Sequence, residues 1–179
     1  MDKVIQEWCD QVNEFHLPRW EELPDIDLYR DQVITYIERY LKLISMDEKI
    51  ITSSMINNYV KWKMMPAPNK KKQYDREHLG YLIVISILKQ VVNIQLIKEG
   101  IELIAKQNGT HNAYNLFCSQ LEESIKYVLS LCFERYRCEE PRKMIESDEV
   151  VLHMGTLAFA SKLIAVKRLT LDEKGEKYV

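Results

Sequence analysis

Apolar side chains recur at steps of three and four residues along almost the whole chain, which is the spacing that places them on one face of a helix. One such stripe comprises Val33, Ile34, Ile37, Tyr40, Leu41 and Ile44. The 179 residues include only five Gly and five Pro, so the chain is poor in the residues that tight β-turns require. The pattern predicts an all-α protein, a helical bundle, and argues against a β-sandwich or β-barrel.

Residues that begin or end helices give a coarse map of the chain. We expect a first helix to stop before Pro18, and Thr52 and Asp75 to cap the N-termini of two later helices. A further helix is expected from Asn93 to Gln107, with a break at Gly109.

Two longer helices are expected in the C-terminal third, from 110 to about 137 and from Ser147 or Asp148 to about Leu171. We accordingly divide the chain into a domain of residues 1–108 and a helical region of residues 109–179. The second region is a candidate dimerisation or effector part, and completing the core is its alternative role.

The small net charge of −2 conceals a strong asymmetry along the chain. Residues 1–31 contain nine acidic and three basic side chains, whereas residues 57–76 contain six basic side chains and one acidic. A compact basic segment within a slightly acidic protein can attract a polyanion locally. The alternative is an ordinary solvated loop.

The basic segment follows a short helix with two different faces. Ile56, Val60 and Met64 fall on one side, while Ser54, Asn57, Asn58 and Lys61 fall on the other. The sequence MMPAPNKKKQY then predicts a loop or a two-stranded ribbon. A short helix with amide side chains, a lysine-rich wing and a supporting helix is the arrangement of a winged helix-turn-helix, with at most a small β-hairpin wing.

The stretch TSSMINNYVKWKMMPAPNKKKQYDREHLGYLIVISILKQVVNIQLIKEGIELI resembles the DNA-binding part of the MerR family of bacterial regulators. The positions that match are Ile56, Tyr59, Met64, Met65, Pro66, Pro68, Tyr74, Asp75, Leu79, Leu82, Ile85, Asn93, Ile94 and Ile97. Asn57 stands where that family has an arginine, and three lysines replace the Gly and Arg before the wing tyrosine. The whole chain also resembles a bacterial family of unknown function.

The resemblance and the helix pattern together suggest a set of DNA-contacting residues. Those expected to face the groove are Ser53, Ser54, Asn57, Asn58 and Lys61. Those expected to contact phosphates are Tyr59, Lys63, Lys70, Lys71, Lys72 and Arg76, with Tyr74 anchoring the wing.

The leading hypothesis is a sequence-specific double-stranded-DNA-binding protein, a transcriptional regulator acting as a homodimer, because one short helix and a few phosphate contacts bind weakly. The alternative is a helical protein-interaction adaptor that kept the winged-helix shape without binding DNA. The acidic first 31 residues and Asn57 favour the adaptor.

Motifs of other functional classes are missing from the sequence. The spacings of Cys9, Cys118, Cys132 and Cys138 do not suit a structural zinc site, and no catalytic triad, phosphate loop or cofactor motif is present. We therefore expect no enzyme activity, metal or cofactor.

Location and ligands are inferred from the apolar stretches. The N-terminus does not resemble a signal peptide, which predicts a cytoplasmic protein. The apolar stretch 150–166 contains His153 and Lys162, so we expect a buried helix rather than a membrane span. Eight C-terminal side chains could line a small-molecule effector cavity, although an ordinary core explains them better: Tyr114, Phe117, Tyr127, Phe133, Tyr136, Met144, Met154 and Phe159.

Overall fold

The computed structural model describes residues 3–136 and 149–171, and these residues are mostly helical. The helices are α1 (Lys3–Asn13), α2 (Arg30–Leu41), α3 (Ser53–Lys61), α4 (Arg76–Leu88), α5 (Ile94–Cys132) and α6 (Val150–Thr170). Two short strands, β1 (Leu28–Tyr29) and β2 (Gln73–Tyr74), and two single 3-10 turns complete the described elements. The predicted all-α class with a small β-element is confirmed.

The described residues form two compact units. The central unit comprises residues 18–116, and the terminal unit comprises the described parts of residues 1–17 and 117–179. The division expected from the sequence was 1–108 and 109–179. Helix α1 belongs with the C-terminal helices, a grouping that local periodicity does not reveal because it depends on contacts distant in sequence.

Helix α4 forms the core of the central unit. Its side chains are apolar on nearly every side, and Leu79, Leu82 and Ile83 are completely buried. Val33 and Ile37 of α2 are also fully buried, and α2 packs on α4. A helix that is apolar all round requires neighbours on several sides, and α2 and β2 both pack on α4.

Strands β1 and β2 join two segments that are distant in sequence. They pair antiparallel, with Leu28 opposite Tyr74 and Tyr29 opposite Gln73. Helices α2 and α3 lie between the two strands in the chain, so the small sheet is not a hairpin of consecutive strands. The pairing fixes the end of residues 64–74, here called the wing, to the start of α2.

The predicted helix boundaries in the central unit agree with the observed ones. The Thr52 hydroxyl accepts a hydrogen bond from the Met55 amide at 3.2 Å, and the Asp75 carboxylate accepts one from the His78 amide at 3.2 Å. Gly109 interrupts α5 with φ 74° and ψ 155°, a conformation that residues other than glycine rarely adopt. The predicted starts of the last helix at 147 or 148 lie outside the described residues.

The terminal unit contains α1, the second part of α5 and α6, and Phe159 of α6 is fully buried in it. Its internal polar groups are paired, because Ser124 and Thr156 lie 2.9 Å apart through their hydroxyls and the His153 ring is 2.6 Å from the Gln120 carbonyl. Phe117 and Tyr136 are buried, Met154 is exposed, and Met144 lies outside the described residues.

By length and composition α6 is apolar enough to cross a membrane, even though it contains His153 and Lys162. About a third of its most apolar window, 33%, is buried inside the protein. The buried side includes Leu152, Phe159 and Leu163, and these pack as one face of a core helix. That the helix does not enter a membrane stays a prediction.

Candidate nucleic-acid interface

Helix α3 presents a polar face to solvent because its apolar face is buried. Ile56 is completely buried, and on the opposite side of the helix the side chains of Ser54, Asn57 and Lys61 are exposed. Ser53 and Asn58, also expected to face a groove, are half-buried at the edges of this face. The structure therefore brings together three of the five groove residues as a continuous exposed strip.

Tyr59 lies in the core rather than on the polar face. Only 4% of its surface is exposed, and burial raises the pKa of its hydroxyl, with a smaller contribution from Asp47. Its position three residues after Ile56 places it on the same apolar face. The geometry favours a packing role over the phosphate contact expected from the sequence.

The C-terminus of α3 closes through Lys63. The Lys63 amide donates to the Val60 carbonyl at 3.0 Å, and the Met64 amide donates to the Tyr59 carbonyl at 2.9 Å. Together these bonds form a Schellman motif, with Lys63 at the left-handed position (φ 55°) that glycine usually occupies. The Lys63 side chain is exposed beside the start of the loop.

The three consecutive lysines occupy a tight turn, here called the lysine turn and defined as residues 69–73. The Lys72 amide donates to the Asn69 carbonyl at 2.8 Å, and the Asn69 amide donates to the Gln73 carbonyl at 3.0 Å. A type I turn followed by a left-handed residue has this pattern, and Lys72 has φ 60°. Lys70, Lys71 and Lys72 are consequently all exposed at the tip.

The Asn69 side chain organises the lysine turn. Its carbonyl oxygen accepts hydrogen bonds from the amides of Lys71 at 2.9 Å and Gln73 at 3.0 Å. Its amide nitrogen donates to the Asp27 carboxylate at 2.9 Å, which ties the turn to the residue before β1. The sequence pattern did not place Asn69 or Asp27 at the site, although an asparagine at the start of a polar run is a recognisable turn former.

Residues at the end of the wing hold it against α4. Tyr74 is buried in the β1–β2 pair, as expected of an anchor, and its ring meets the His78 ring edge-on at 5.4 Å between centroids. The His78 ring also reaches the Ala67 carbonyl at 3.2 Å. Arg76 is half-buried, and its Nε is buried without a hydrogen-bond partner among the described residues.

Asp75 links the wing to the first turn of α4. Its carboxylate lies 2.6 Å from Nδ1 of His78. Partial burial raises the pKa of Asp75, but hydrogen bonds and charge attraction from His78 outweigh burial and leave the pKa below its ordinary value. The ionised carboxylate is therefore the form that caps the helix.

A groove of about 600 Å³ lies between Asn57 and Val60 of α3 and the lysine turn. Arg30, Asn57, Lys71 and Lys72 line it, together with Tyr29, Asp31, Val60, Pro68 and Tyr74. Arg30 donates through Nη1 to the Asn57 carbonyl oxygen at 3.2 Å. Sequence reasoning missed Arg30 because it lies 27 residues before its partner, on another helix.

Within the described ranges, no group of three His, Cys, Asp or Glu side chains is arranged to hold a metal ion. The cationic and amide side chains around the groove are instead suited to an anionic ligand with hydrogen-bonding groups.

The central unit coincides with the part of the chain that matches a known sequence family. Residues 18–117, more than half of the chain, match the model of a domain of unknown function (DUF1836). No curated protein and no solved structure matches the chain significantly. The matched residues coincide almost completely with the compact unit 18–116 that contains α3 and the lysine turn, and the chain belongs to the DUF1836 family.

Proposed function

We propose that the protein is a sequence-specific double-stranded-DNA-binding protein, a transcriptional regulator that acts as a homodimer through a MerR-like winged helix-turn-helix. The observation that carries this proposal is the shared groove, which Asn57 from the polar face of α3 lines together with Lys71 and Lys72 of the lysine turn. A helix that reads bases beside a wing that contacts phosphates uses this arrangement.

Two backbone conformations support a functional role for the lysines. Among the described residues, the non-glycine residues with positive φ are Lys63 and Lys72, at φ 55° and 60°. A left-handed conformation costs a residue with a side chain roughly 1–2 kcal/mol. Glycine would remove this cost at both positions but would also remove the charge. Local strain of this kind is typical of functional sites.

The proposed interface divides into two sets of contacts. Ser54, Asn57 and Lys61 are the exposed residues of α3 that face the base edges or the adjoining backbone. Lys63, Lys70, Lys71 and Lys72 are the exposed cations that contact phosphates. The binding constant should fall with salt by a logarithmic slope of about −0.9 for every phosphate contacted.

The homodimer supplies the affinity that one short helix lacks, because two half-sites double the interface. Exposed apolar side chains in the terminal unit support a second copy of the chain as the partner. They are Leu131 at the end of α5 and Val150, Val151, Met154 and Leu169 on α6.

One observation favours the second candidate, a protein-interaction adaptor. Ile26, Tyr29 and Trp62 are large apolar side chains that are 65%, 57% and 49% exposed in the central unit. Exposed aromatic side chains are common at protein interfaces. An adaptor would use these residues and would not require the lysine turn.

Selection of bound duplexes from a random pool tests the proposal, followed by titration of the selected duplex at rising salt. The expected result is an enriched palindrome and a steep loss of affinity with salt. Replacing Lys70, Lys71 and Lys72 together by alanine should make the salt slope shallower by the equivalent of up to about three phosphate contacts per protomer.

A matched control replaces Lys42, Lys49 and Lys106, which are exposed in the same unit and do not line the groove, by alanine. This variant changes net charge equally and should retain the wild-type slope. An interaction that is undetectable or independent of salt would overturn DNA binding. If both triple variants lost the same amount of salt slope, DNA binding would be general charge attraction and not specific contact through the lysine turn.

A further inference from the structure

We propose that Arg30 binds a DNA phosphate in the groove and that Asn57 is the residue that positions it. The inference rests on the proposed function and adds to it a contact from α2, outside both α3 and the wing. It also gives Asn57 a different role from the base reading expected from the sequence.

Two independent connections place the Arg30 guanidinium at the groove. Arg30 directly follows β1, and Tyr29 is paired with Gln73, the last residue of the lysine turn. From the opposite side, the Asn57 carbonyl oxygen accepts a hydrogen bond from Nη1 at 3.2 Å. The start of α2 is therefore fixed to the turn by backbone pairing and to α3 by a side-chain bond.

The guanidinium retains most of its hydrogen-bonding capacity in this position. It has five N–H donors, and its bond to Asn57 uses one of them. The side chain is exposed, and it forms no ion pair within the described part of the chain. Asp31 lines the same groove without pairing with it. A planar fork of donors suits two oxygens of one phosphate.

The charges around the groove favour an anion there. Lys71 and Lys72 line it opposite Arg30, so three cations face a space that contains one carboxylate, Asp31. A duplex lying across α3 and the lysine turn passes its backbone over this space. Arg30 would contribute one phosphate contact from each protomer.

The hydrogen bond to Arg30 limits what Asn57 can do. Reading adenine requires the asparagine amide to accept and donate towards the same base edge. Because the Asn57 oxygen is already oriented towards Arg30, the amide is directed by the protein rather than by a base. Asn57 thus acts through Arg30 and is a positioning residue.

A double-mutant cycle on the selected duplex tests this assignment, using Arg30→Gln, Asn57→Ala and both together. Arg30→Gln should weaken binding roughly tenfold per protomer, as expected for a lost bond to a charged group, and should reduce the salt slope by about one contact. Asn57→Ala should weaken binding less, uniformly across sequences, and should have no further effect in the Arg30→Gln background.

Two further variants distinguish charge from structure. Arg30→Lys should retain the salt slope while losing part of the affinity, because it keeps the charge without the fork. Arg39→Gln, an exposed arginine on the same helix, should leave both quantities unchanged. Thermal unfolding of every variant checks that the fold is intact.

The outcomes separate this inference from the proposed function. If Arg30→Gln matches wild type while the triple lysine variant loses its slope, DNA binding stands and the role of Arg30 is wrong. If Asn57→Ala changes the preferred base at one position and keeps the slope, Asn57 reads sequence and is not a positioning residue. If wild type does not bind DNA, both proposals fail.

Discussion

The central and terminal units are built in the same way but differ in what they expose. Each buries the apolar faces of its helices, with α4 at the core of one and Phe159 of α6 in the other. The central unit exposes cations and an amide around a groove, beside the apolar side chains of Ile26, Tyr29 and Trp62, whereas the terminal unit exposes leucine, valine and methionine side chains. Core packing thus explains both folds, and under the proposed function it is the exposed groove that would bind a polyanion and the exposed aliphatic side chains that would bind a second copy of the chain.

The largest expected effect lies in the terminal unit. Phe159→Ala should lower the free energy of unfolding by about 3–5 kcal/mol, because it removes a fully buried ring and leaves a cavity. Urea denaturation measures the loss, with exposed Lys126→Ala as a nearly neutral control. DNA affinity per folded dimer should keep its salt slope; a changed slope would break the separation of roles between the units.

A smaller effect is expected at the break in α5. Gly109→Ala should destabilise the protein by about 1–3 kcal/mol, because φ 74° with ψ 155° is accessible essentially only to glycine. No neighbouring atom lies within 4 Å of the added carbon, so the cost is backbone strain rather than a clash. Exposed Gln107→Ala is the control in thermal unfolding. If Gly109→Ala unfolded at the same temperature as the wild type, the predicted backbone strain would be wrong and the helix would straighten at no cost in stability.

Asp75 should make the stability of the central unit sensitive to acid. Its pKa is below the ordinary value of 3.8 in the folded protein, so its stabilisation is fully present above that value and is lost as the pH falls through the folded pKa. Asp75→Ala should cost about 1 kcal/mol at neutral pH through loss of the cap. The melting temperature of Asp75→Ala should also fall less than that of the wild type when the pH is lowered.

Two controls sharpen the acid experiment. Asp75→Asn retains a capping side chain without a titrating group and should restore most of the neutral-pH stability. Exposed Asp25→Asn should leave the profile unchanged. Identical acid profiles for wild type and Asp75→Asn would exclude Asp75 as the titrating group.

The smallest expected effect has opposite signs for folding and binding. Lys72→Gly should stabilise the fold by a few tenths to about 1 kcal/mol, because glycine relieves the left-handed conformation but adds freedom to the unfolded chain. The same variant should reduce the salt slope by about one contact. Lys70→Gly, at the same tip but outside the positive-φ region, should lack the gain in stability. Destabilisation by Lys72→Gly would contradict the strain argument.

Local sequence patterns were sufficient for the helices of the central unit. Thr52, Asp75 and Gly109 were predicted as helix boundaries because caps and breaks depend on a few neighbouring residues. The apolar stripe of α2 likewise became its buried face, with Val33 and Ile37 at its centre. The strip of Ser54, Asn57 and Lys61 followed from helical spacing alone.

The parts of the site that the sequence did not reveal depend on long-range pairing. The Arg30–Asn57 bond joins side chains that are 27 positions apart in the sequence, and the Asp27–Asn69 bond spans 42 positions. Helical periodicity contains no information about such partners. Tyr59 is different, because its spacing of three residues from Ile56 is sufficient to predict that it lies on the buried face.

The dependence of the lysine turn on Asn69 has an evolutionary consequence. Asn69 and the pairing of Gln73 define the backbone, while the side chains of Lys70 and Lys71 extend into solvent without helping to hold it. These two tip positions can therefore accumulate substitutions at little cost to folding.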